Sequence, residues 1–267
     1  MTSVQGTDPS GGWSWVLDET APCLATAIHA GGRVRPEIAA LMTLDEAGRF
    51  TEEDPATDRF IEGCRSRIVC HDSRYEYELN RSVERAVRLS SEDAWGRNLY
   101  REAPSRKMIS RSRERHEAFY AFLEPVVRRL VALHGIYVIY DIHSYSLGRQ
   151  RARGFEPPPL FNVGTECLDR VRFGAVIDAW SEALAAMEVP GVKTTVAENL
   201  MFFGRGELCR RASGWDPRVL VLPTEVGKYY MDEETGQMNS ARVEALARGF
   251  ERAIHEHMAV CMNDGAP

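Results

Sequence analysis

The chain has 267 residues, 44% hydrophobic and 27% charged, which are ordinary proportions for a globular protein with one sizeable core. Its formal net charge of −6 argues against a general nucleic-acid binder, and no apolar run approaches the ~20 residues that span a bilayer. The N-terminus lacks the basic and apolar regions of a secretory signal and the six cysteines form no CxxC pair, so we expect reduced thiols and a cytoplasmic location.

The first predicted feature is a flexible N-terminal arm over residues 1–20, which are rich in Gly, Ser and Asp. The apolar segment APCLATAIHAGG then predicts a strand that ends in His29. Residues 36–50 carry apolar side chains at helical spacing, and residues 67–70 predict a second strand that runs into a charged loop. The clearest helix is predicted over residues 114–134, where the apolar side chains fall on one face.

A third strand is predicted over residues 136–140, and it runs directly into a polar cluster that contains His143. A Pro-rich loop follows at residues 156–160. The remaining elements are a helix, a strand and a helix, at residues 171–187, 219–222 and 240–258. This alternation predicts a single α/β domain over residues 21–262, with a mixed, mostly parallel central sheet and helices on both faces.

Two of the predicted strands end in histidine, at His29 and His143. Ligands of open α/β sheets bind at the carboxyl ends of the strands, so both imidazoles are candidate metal ligands, and Asp141 is placed to orient the ring of His143. Catalytic zinc sites use three His or carboxylate ligands, and since the chain lacks HExxH, such a site must be assembled from strand ends. The alternative is that both histidines are hydrogen-bonded loop residues.

The loop SRYEYELNR supplies Arg74, Asn80 and Arg81. Two guanidinium groups beside an amide are suited to recognising a carboxylate and stabilising an oxyanion. Because Glu76 and Glu78 lie in the same loop, a surface network of salt bridges is an equally good interpretation, and the residue types leave both open.

Taken together, these segments resemble the N-formylglutamate amidohydrolase family, which has the zinc carboxypeptidase and aspartoacylase type of fold. The resemblance covers most of residues 22–260, in the order AIHAGGRVRP, SRYEYELNR, YDIHSYS, PPLFNVGT, ENLMFFGRGEL and TEVGKYYMDEETG. It implies a metal-dependent hydrolase that cleaves the amide bond of an N-acyl amino acid such as N-formylglutamate.

By this resemblance, His29 and His143 are ligands of one divalent metal ion, zinc. The carboxypeptidase pattern has a glutamate three residues after the first histidine, where this chain has Gly32. The third ligand must therefore lie elsewhere, and we expect Asp58, in ATDRFIEG, with Glu62 as the alternative.

The resemblance also assigns catalytic roles. Arg74 would polarise the scissile carbonyl, and Glu225 would act as the general base that passes a proton from water to the leaving amine. Asn80 and Arg81 would grip the substrate's α-carboxylate.

Three further residues are candidates for substrate binding. By the resemblance, Lys228 stands where the family has an arginine. It keeps the positive charge but loses the planar guanidinium that can hold a carboxylate through two hydrogen bonds. Ser144 and Tyr145 follow His143 at the same strand end, where Ser144 would bind substrate and Tyr145 would either bind substrate or pack. The expected substrate is a small anionic N-acyl amino acid or a short peptide, with no nucleic-acid or membrane partner.

Two rival functions remain open at this point. One is a carboxypeptidase-like peptidase of the same fold, which an assay on free and blocked peptides would distinguish. The other is a non-catalytic ligand-binding member with a degraded metal site, which Gly32 favours because glycine has no side chain to coordinate a metal.

Overall fold

The computed structural model describes residues 3–94 and 96–263, which form one mixed sheet between layers of helices. The strands are β1 (Ser3–Thr7), β2 (Trp13–Asp18), β3 (Cys23–Ala27), β4 (Arg67–Cys70), β5 (Tyr137–Tyr145), β6 (Phe161–Val163), β7 (Val196–Glu198) and β8 (Val219–Gly227). The α-helices are α1 (Pro36–Ala39), α2 (Glu46–Glu52), α3 (Thr57–Phe60), α4 (Arg106–His134), α5 (Leu147–Ala152), α6 (Arg170–Ala185), α7 (Glu207–Trp215) and α8 (Ser240–Asn263). None of these described helices has the length and hydropathy that a membrane span requires.

The strand order across the sheet is β1-β2-β4-β3-β5-β8-β6-β7. Parallel pairing joins β4, β3, β5 and β8 in the centre, and β6 with β7 at one edge. Antiparallel pairing joins β1 to β2, β2 to β4 and β6 to β8. The predicted fold class, a mixed and mostly parallel sheet with helices on both faces, is therefore confirmed.

Strand β5 shows how the sheet separates two cores, since all nine of its residues are buried. Tyr140 and Ile142 pack with α6 and α8, whereas Tyr137 and Ile139 pack with α4 and α7. Successive side chains of a strand point to opposite faces, so an apolar run without alternation is what a strand covered on both faces needs.

The N-terminal residues differ from their prediction as a flexible arm. Residues 3–7 and 13–18 form an antiparallel hairpin, and Trp13 of β2 lies opposite Cys70 of β4. The sequence WSWVLD is rich in strand-forming residues, and its pairing with β4 outweighs the Gly- and Ser-rich composition around it. Met1 and Thr2 lie outside the described residues.

Several predicted elements have other boundaries in the structure. Residues 36–50 form two short helices, because Asp45 caps a new helix by accepting a hydrogen bond from the amide of Gly48 at 2.8 Å. The clearest helix begins at Arg106, after the capping side chain of Ser105. Strands β5 and β8 both continue five residues beyond the predicted ends, so their polar ends belong to the sheet itself.

The core beneath α6 gives a stability prediction. Trp180 is fully buried against Tyr140 and Phe250, and its indole N–H donates to Thr224 Oγ1 at 2.9 Å. We expect Trp180→Ala to lower the free energy of unfolding by about 3–5 kcal/mol, because it leaves a large cavity. Urea denaturation measures this change, with Val171→Ala at a fully exposed position of α6 as the control. A loss of unfolding free energy for Trp180→Ala no larger than that for Val171→Ala would contradict the prediction.

Candidate active site

The carboxyl ends of the central parallel strands bring the candidate residues together. His143 in β5 lies directly opposite Glu225 in β8, and His29 follows β3 by two residues. The backbone N–H of Asp54 donates to the carbonyl of His29 at 3.1 Å, which docks the segment after α2 onto this edge. Two imidazoles and two carboxyl groups therefore meet at one edge of the sheet, all of them buried or lining a cavity.

The centre of the site is a triangle of three side-chain atoms. His29 Nδ1 and His143 Nδ1 are 3.0 Å apart, and each lies close to Asp54 Oδ2, at 3.2 and 3.3 Å respectively. All three side chains are buried. Among the described residues, this is the one group of three such side chains arranged to hold a metal ion.

Each imidazole is held from behind by a carboxylate. His29 Nε2 lies 2.5 Å from Glu78 Oε1, and His143 Nε2 lies 2.9 Å from Asp141 Oδ2. Thr26 Oγ1 in turn donates to the other oxygen of Asp141 at 2.7 Å. A carboxylate on Nε2 keeps the proton there, so that the Nδ1 lone pairs of both rings face the centre of the triangle.

The donor set fits a divalent metal ion. Ligands that bind zinc at 2.0–2.1 Å in a tetrahedron are about 3.3 Å from one another, and the three triangle distances are 3.0, 3.2 and 3.3 Å. Asp54 Oδ1 is buried without a hydrogen-bond partner in the described residues, although Arg74 Nη1 lies 3.6 Å away. Two imidazoles and a carboxylate are also a set that catalytic zinc sites use.

The carboxylate at the histidine pair is Asp54, which corrects the expected Asp58 and its alternative Glu62. The chain turns at Ala56, whose φ is 67°, and α3 begins directly after it. Asp58 is half-buried on α3 outside the triangle, and Glu62 is exposed and pairs with Arg59 at 3.0 Å. Asp54 stands four residues before Asp58 in EEDPATD, where no local signal separates the two.

A buried network of opposite charges supports the His29 side of the site. Glu78 Oε2 accepts hydrogen bonds from Arg74 Nε at 2.9 Å and from Arg88 Nη2, while its other oxygen contacts His29. Arg74 also faces Asp54, so this one guanidinium spans both carboxylates. Glu78 was expected only in a surface network of salt bridges and Arg88 was not predicted at all, because a charged loop of this kind is usually solvated.

Glu225 lies where a proton-transfer group would be needed. It lines two adjoining cavities of about 290 and 450 Å³, and His143, Asn80 and Phe202 line both as well. The pKa of Glu225 is raised to about 8, mainly by burial and in part by the neighbouring Asp54, and the attraction of His143 only partly offsets this rise. A carboxyl group with a raised pKa in a cleft is typical of general acid–base sites.

The structure brings four of the five predicted substrate-binding residues to these cavities. Asn80 lines both, and the larger cavity is also lined by Ser144, Tyr145 and Lys228. The hydroxyl of Tyr145 donates to the carbonyl of Pro159, so it is already engaged. Lys228 Nζ donates to the carbonyls of Thr51 at 2.8 Å and Glu53 at 2.6 Å.

Arg81 is the exception among the predicted substrate-binding residues. Its guanidinium pairs with Asp93 at 2.7 Å, and it is not among the residues that line either cavity. Neighbouring loop residues need not point the same way, and here the side chain of Asn80 faces the cavities whereas that of Arg81 faces Asp93. The expectation of a forked Arg81 contact with substrate is therefore not supported by the geometry.

Comparisons with known proteins agree with this architecture. The model of the family described as N-formylglutamate amidohydrolase matches residues 21–231 of the chain. The crystal structure of the N-formylglutamate amidohydrolase from Ralstonia eutropha JMP134 superposes with a TM-score of 0.77 at 16% sequence identity, covering 94% of this chain and 99% of that chain. A gene product of Agrobacterium tumefaciens superposes with a TM-score of 0.62 at 14% identity, covering 94% and 96%.

A metallo-carboxypeptidase from Burkholderia cenocepacia gives a TM-score of 0.41 at 18% identity, covering 93% of this chain and 61% of that chain. No curated protein matches the chain in sequence. At these identities the structures from Ralstonia eutropha and Agrobacterium tumefaciens establish the fold alone, whereas the match over residues 21–231 establishes the family.

Proposed function

Because the chain belongs to the N-formylglutamate amidohydrolase family, we propose that it hydrolyses the amide bond of an N-acyl amino acid with the aid of a bound divalent metal ion. The observation that carries this proposal is the buried triangle of His29, Asp54 and His143, with Glu225 directly opposite His143 across the β5–β8 pair. The family supports the proposed reaction class, and the distances within the site support the roles proposed below.

The metal ligands in this proposal are His29 Nδ1, His143 Nδ1 and Asp54 Oδ2. Both rings are fixed in the required tautomer by Glu78 and Asp141, so the site is organised before the metal arrives. When bound, zinc supplies Lewis acidity, which activates water and polarises a carbonyl oxygen. Three protein ligands leave a position for water or substrate.

Glu225 acts as the proton carrier. Its carboxylate takes a proton from the attacking water and delivers it to the nitrogen of the leaving amine, which is protonated as the amide bond breaks. A raised pKa favours this shuttle because the group must both accept and release a proton near neutral pH. In this proposal Arg74, which is paired with Glu78 at 2.8 Å, stabilises negative charge on the carbonyl oxygen.

The substrate's carboxylate is bound in the larger cavity. Asn80 and Lys228 line this cavity, and the ammonium group of Lys228 contacts carbonyl oxygens rather than a carboxylate. Within the described residues, this ammonium group forms no ion pair with an acidic side chain. Ser144 lines the same cavity and adds a hydroxyl to this side of the site.

A substrate comparison tests the proposed reaction against the peptidase alternative. We expect the zinc-loaded protein to release the carboxylic acid from N-acyl-L-glutamates and to leave the C-terminal residue of a tripeptide in place. Chromatography of the products measures both reactions, with the Glu225→Gln variant as the control for contaminating hydrolases. Cleavage of the tripeptide with no cleavage of any N-acyl-L-glutamate would favour the peptidase and contradict the proposal.

A further inference from the structure

The two cavities beside His143 and Glu225 have different chemistry. Both contain Asn80, His143, Phe202 and Glu225, so they adjoin at one proposed metal ligand and the proposed base. We call the cavity of about 290 Å³ that extends from this point to Met201, Phe203 and Cys209 the apolar cavity. The cavity of about 450 Å³ that extends to Arg149, Arg153 and Lys228 is the basic cavity. An amide substrate that straddles the site places one of its halves in each.

The basic cavity selects the half that carries the carboxylate. Arg74, Arg149, Arg153 and Lys228 all line it, together with the acidic groups Glu52, Asp54 and Glu225, and Arg74 is also paired with Glu78 at 2.8 Å. Arg149 is paired with Glu52 at 2.5 Å, and Lys228 contacts backbone carbonyls. The side chains that line the basic cavity carry four formal positive charges and three negative ones, so the net charge of the lining is positive, which favours the anionic amino acid half.

The apolar cavity is far larger than a formyl group. A cavity of about 150 Å³ suffices to bind benzene, whereas this one measures about 290 Å³. Beyond the residues shared with the basic cavity, its wall is formed by a methionine, a second phenylalanine, a buried cysteine, a proline and three glycines, with the carboxylate of Asp141 beside His143 and Arg205 completing the lining. Arg205 is paired with Glu166 at 2.6 Å, so its charge is matched.

The aromatic wall of the apolar cavity is held in place by one buried side chain. Asn162 Oδ1 accepts hydrogen bonds from the amides of Leu200 at 3.1 Å and Met201 at 2.9 Å, and its Nδ2 donates to the carbonyl of Phe202 at 2.8 Å. Asn162 itself is fully buried in β6. The wall is thus fixed to the sheet, so the cavity is present before a substrate binds, which is typical of small-molecule sites.

We propose that the apolar cavity binds the acyl group of the substrate and that this group is an apolar chain or ring of about six or more carbons. The proposal rests on the amide hydrolysis proposed above and adds the class of acyl group. A formyl substrate would leave the cavity filled with water and would gain nothing from burying its apolar wall.

A series of acyl groups on one amino acid tests this directly. The probes are N-formyl-, N-acetyl-, N-hexanoyl- and N-benzoyl-L-glutamate, assayed with the zinc-loaded protein. We expect kcat/KM for the hexanoyl or benzoyl compound to exceed that for the formyl compound by at least about 100-fold. Each additional methylene in a fitting pocket strengthens binding of the transition state. Equal or higher kcat/KM for the formyl compound would overturn the proposal.

Two exposed residues of one loop provide a matched pair of variants. Phe203 lines the apolar cavity and is 40% exposed, whereas Leu200 is 44% exposed and lines neither cavity. We expect Phe203→Asp to lower the hexanoyl-to-formyl ratio of kcat/KM by about tenfold. Leu200→Asp should leave that ratio within about twofold of the original. Equal ratios for the two variants would contradict the assignment of the apolar cavity.

Failure of this inference is distinguishable from failure of the proposed function. If all four compounds are cleaved with a preference for the formyl compound, the proposed amide hydrolysis is supported and the assignment of the apolar cavity to a large acyl group is contradicted. If none is cleaved although zinc is bound, the proposed function falls, and the acyl assignment falls with it. The product hexanoate should also inhibit more strongly than formate, which measures occupation of the cavity without a substrate.

Discussion

Glu225→Gln is expected to lower kcat for N-acyl amino acid hydrolysis by about 10²- to 10⁴-fold while the zinc content stays unchanged. The amide side chain has nearly the same size and shape as the carboxyl group, but it cannot accept the proton of the attacking water. Glu225 lies beside the ligand triangle rather than in it, since that group contains His29, Asp54 and His143. Steady-state kinetics and metal analysis of the same preparation measure the two quantities.

The matched control for this variant is Glu62→Gln. Glu62 is exposed and pairs with Arg59, so its replacement should change neither kcat nor zinc content. If Glu225→Gln loses the metal, then Glu225 is a ligand and not the base. If it keeps both the metal and normal turnover, proton transfer by Glu225 is excluded.

The second large effect concerns stability. We expect Glu78→Leu to lower the free energy of unfolding by about 3–5 kcal/mol, because it removes the carboxylate shared by Arg74, Arg88 and His29 in a buried site. The loss also frees the ring of His29 to change tautomer, so zinc affinity should fall about 10- to 100-fold. Urea denaturation and competition with a chelator measure these effects.

Two comparisons make the Glu78 prediction specific. Glu78→Gln keeps the shape and two hydrogen-bonding atoms, so its loss of stability should be smaller than that of Glu78→Leu. Glu102→Gln, at an exposed loop position, should leave the unfolding midpoint unchanged. A midpoint for Glu78→Leu equal to that of Glu102→Gln would show that the buried network contributes little to stability.

The parts of the site that lie on strands were predictable from the sequence. An apolar run that ends in a polar residue marks a buried strand and its end, and this pattern identified His29, His143 and the neighbouring Asp141. Glu225 came from the resemblance to the family, and it lies on β8 beside His143. Strand ends are fixed by local sequence and by sheet pairing, so their relative positions follow once the sheet is known.

The parts that lie on loops were not predictable in the same way. Asp54 reaches the histidines because its backbone docks on the carbonyl of His29 and the chain turns at Ala56, neither of which is visible in EEDPATD. Arg81 pairs with Asp93, twelve residues away, although its neighbour Asn80 lines the cavities. In both loops, tertiary contacts rather than sequence spacing decide which side chain enters the site.

The N-terminal hairpin is a regular element that was wrongly predicted to be a flexible arm. Glycine and serine around WSWVLD suggested a flexible segment, yet Trp13 is buried against Phe119 of α4 with ring centroids 5.5 Å apart. The strand also pairs along β4 from Trp13 to Val16. Average composition over twenty residues conceals a six-residue strand, whose tryptophans and valine are typical strand formers.

The zinc content of the purified protein tests the central claim most directly. After loading with zinc and desalting, elemental mass spectrometry should find one zinc per chain in the unaltered protein and in Asp58→Ala, and almost none in Asp54→Ala. Circular dichroism of the three proteins verifies that each is folded. Absence of zinc from the unaltered protein, or its loss in Asp58→Ala with retention in Asp54→Ala, would contradict the metal centre formed by His29, Asp54 and His143.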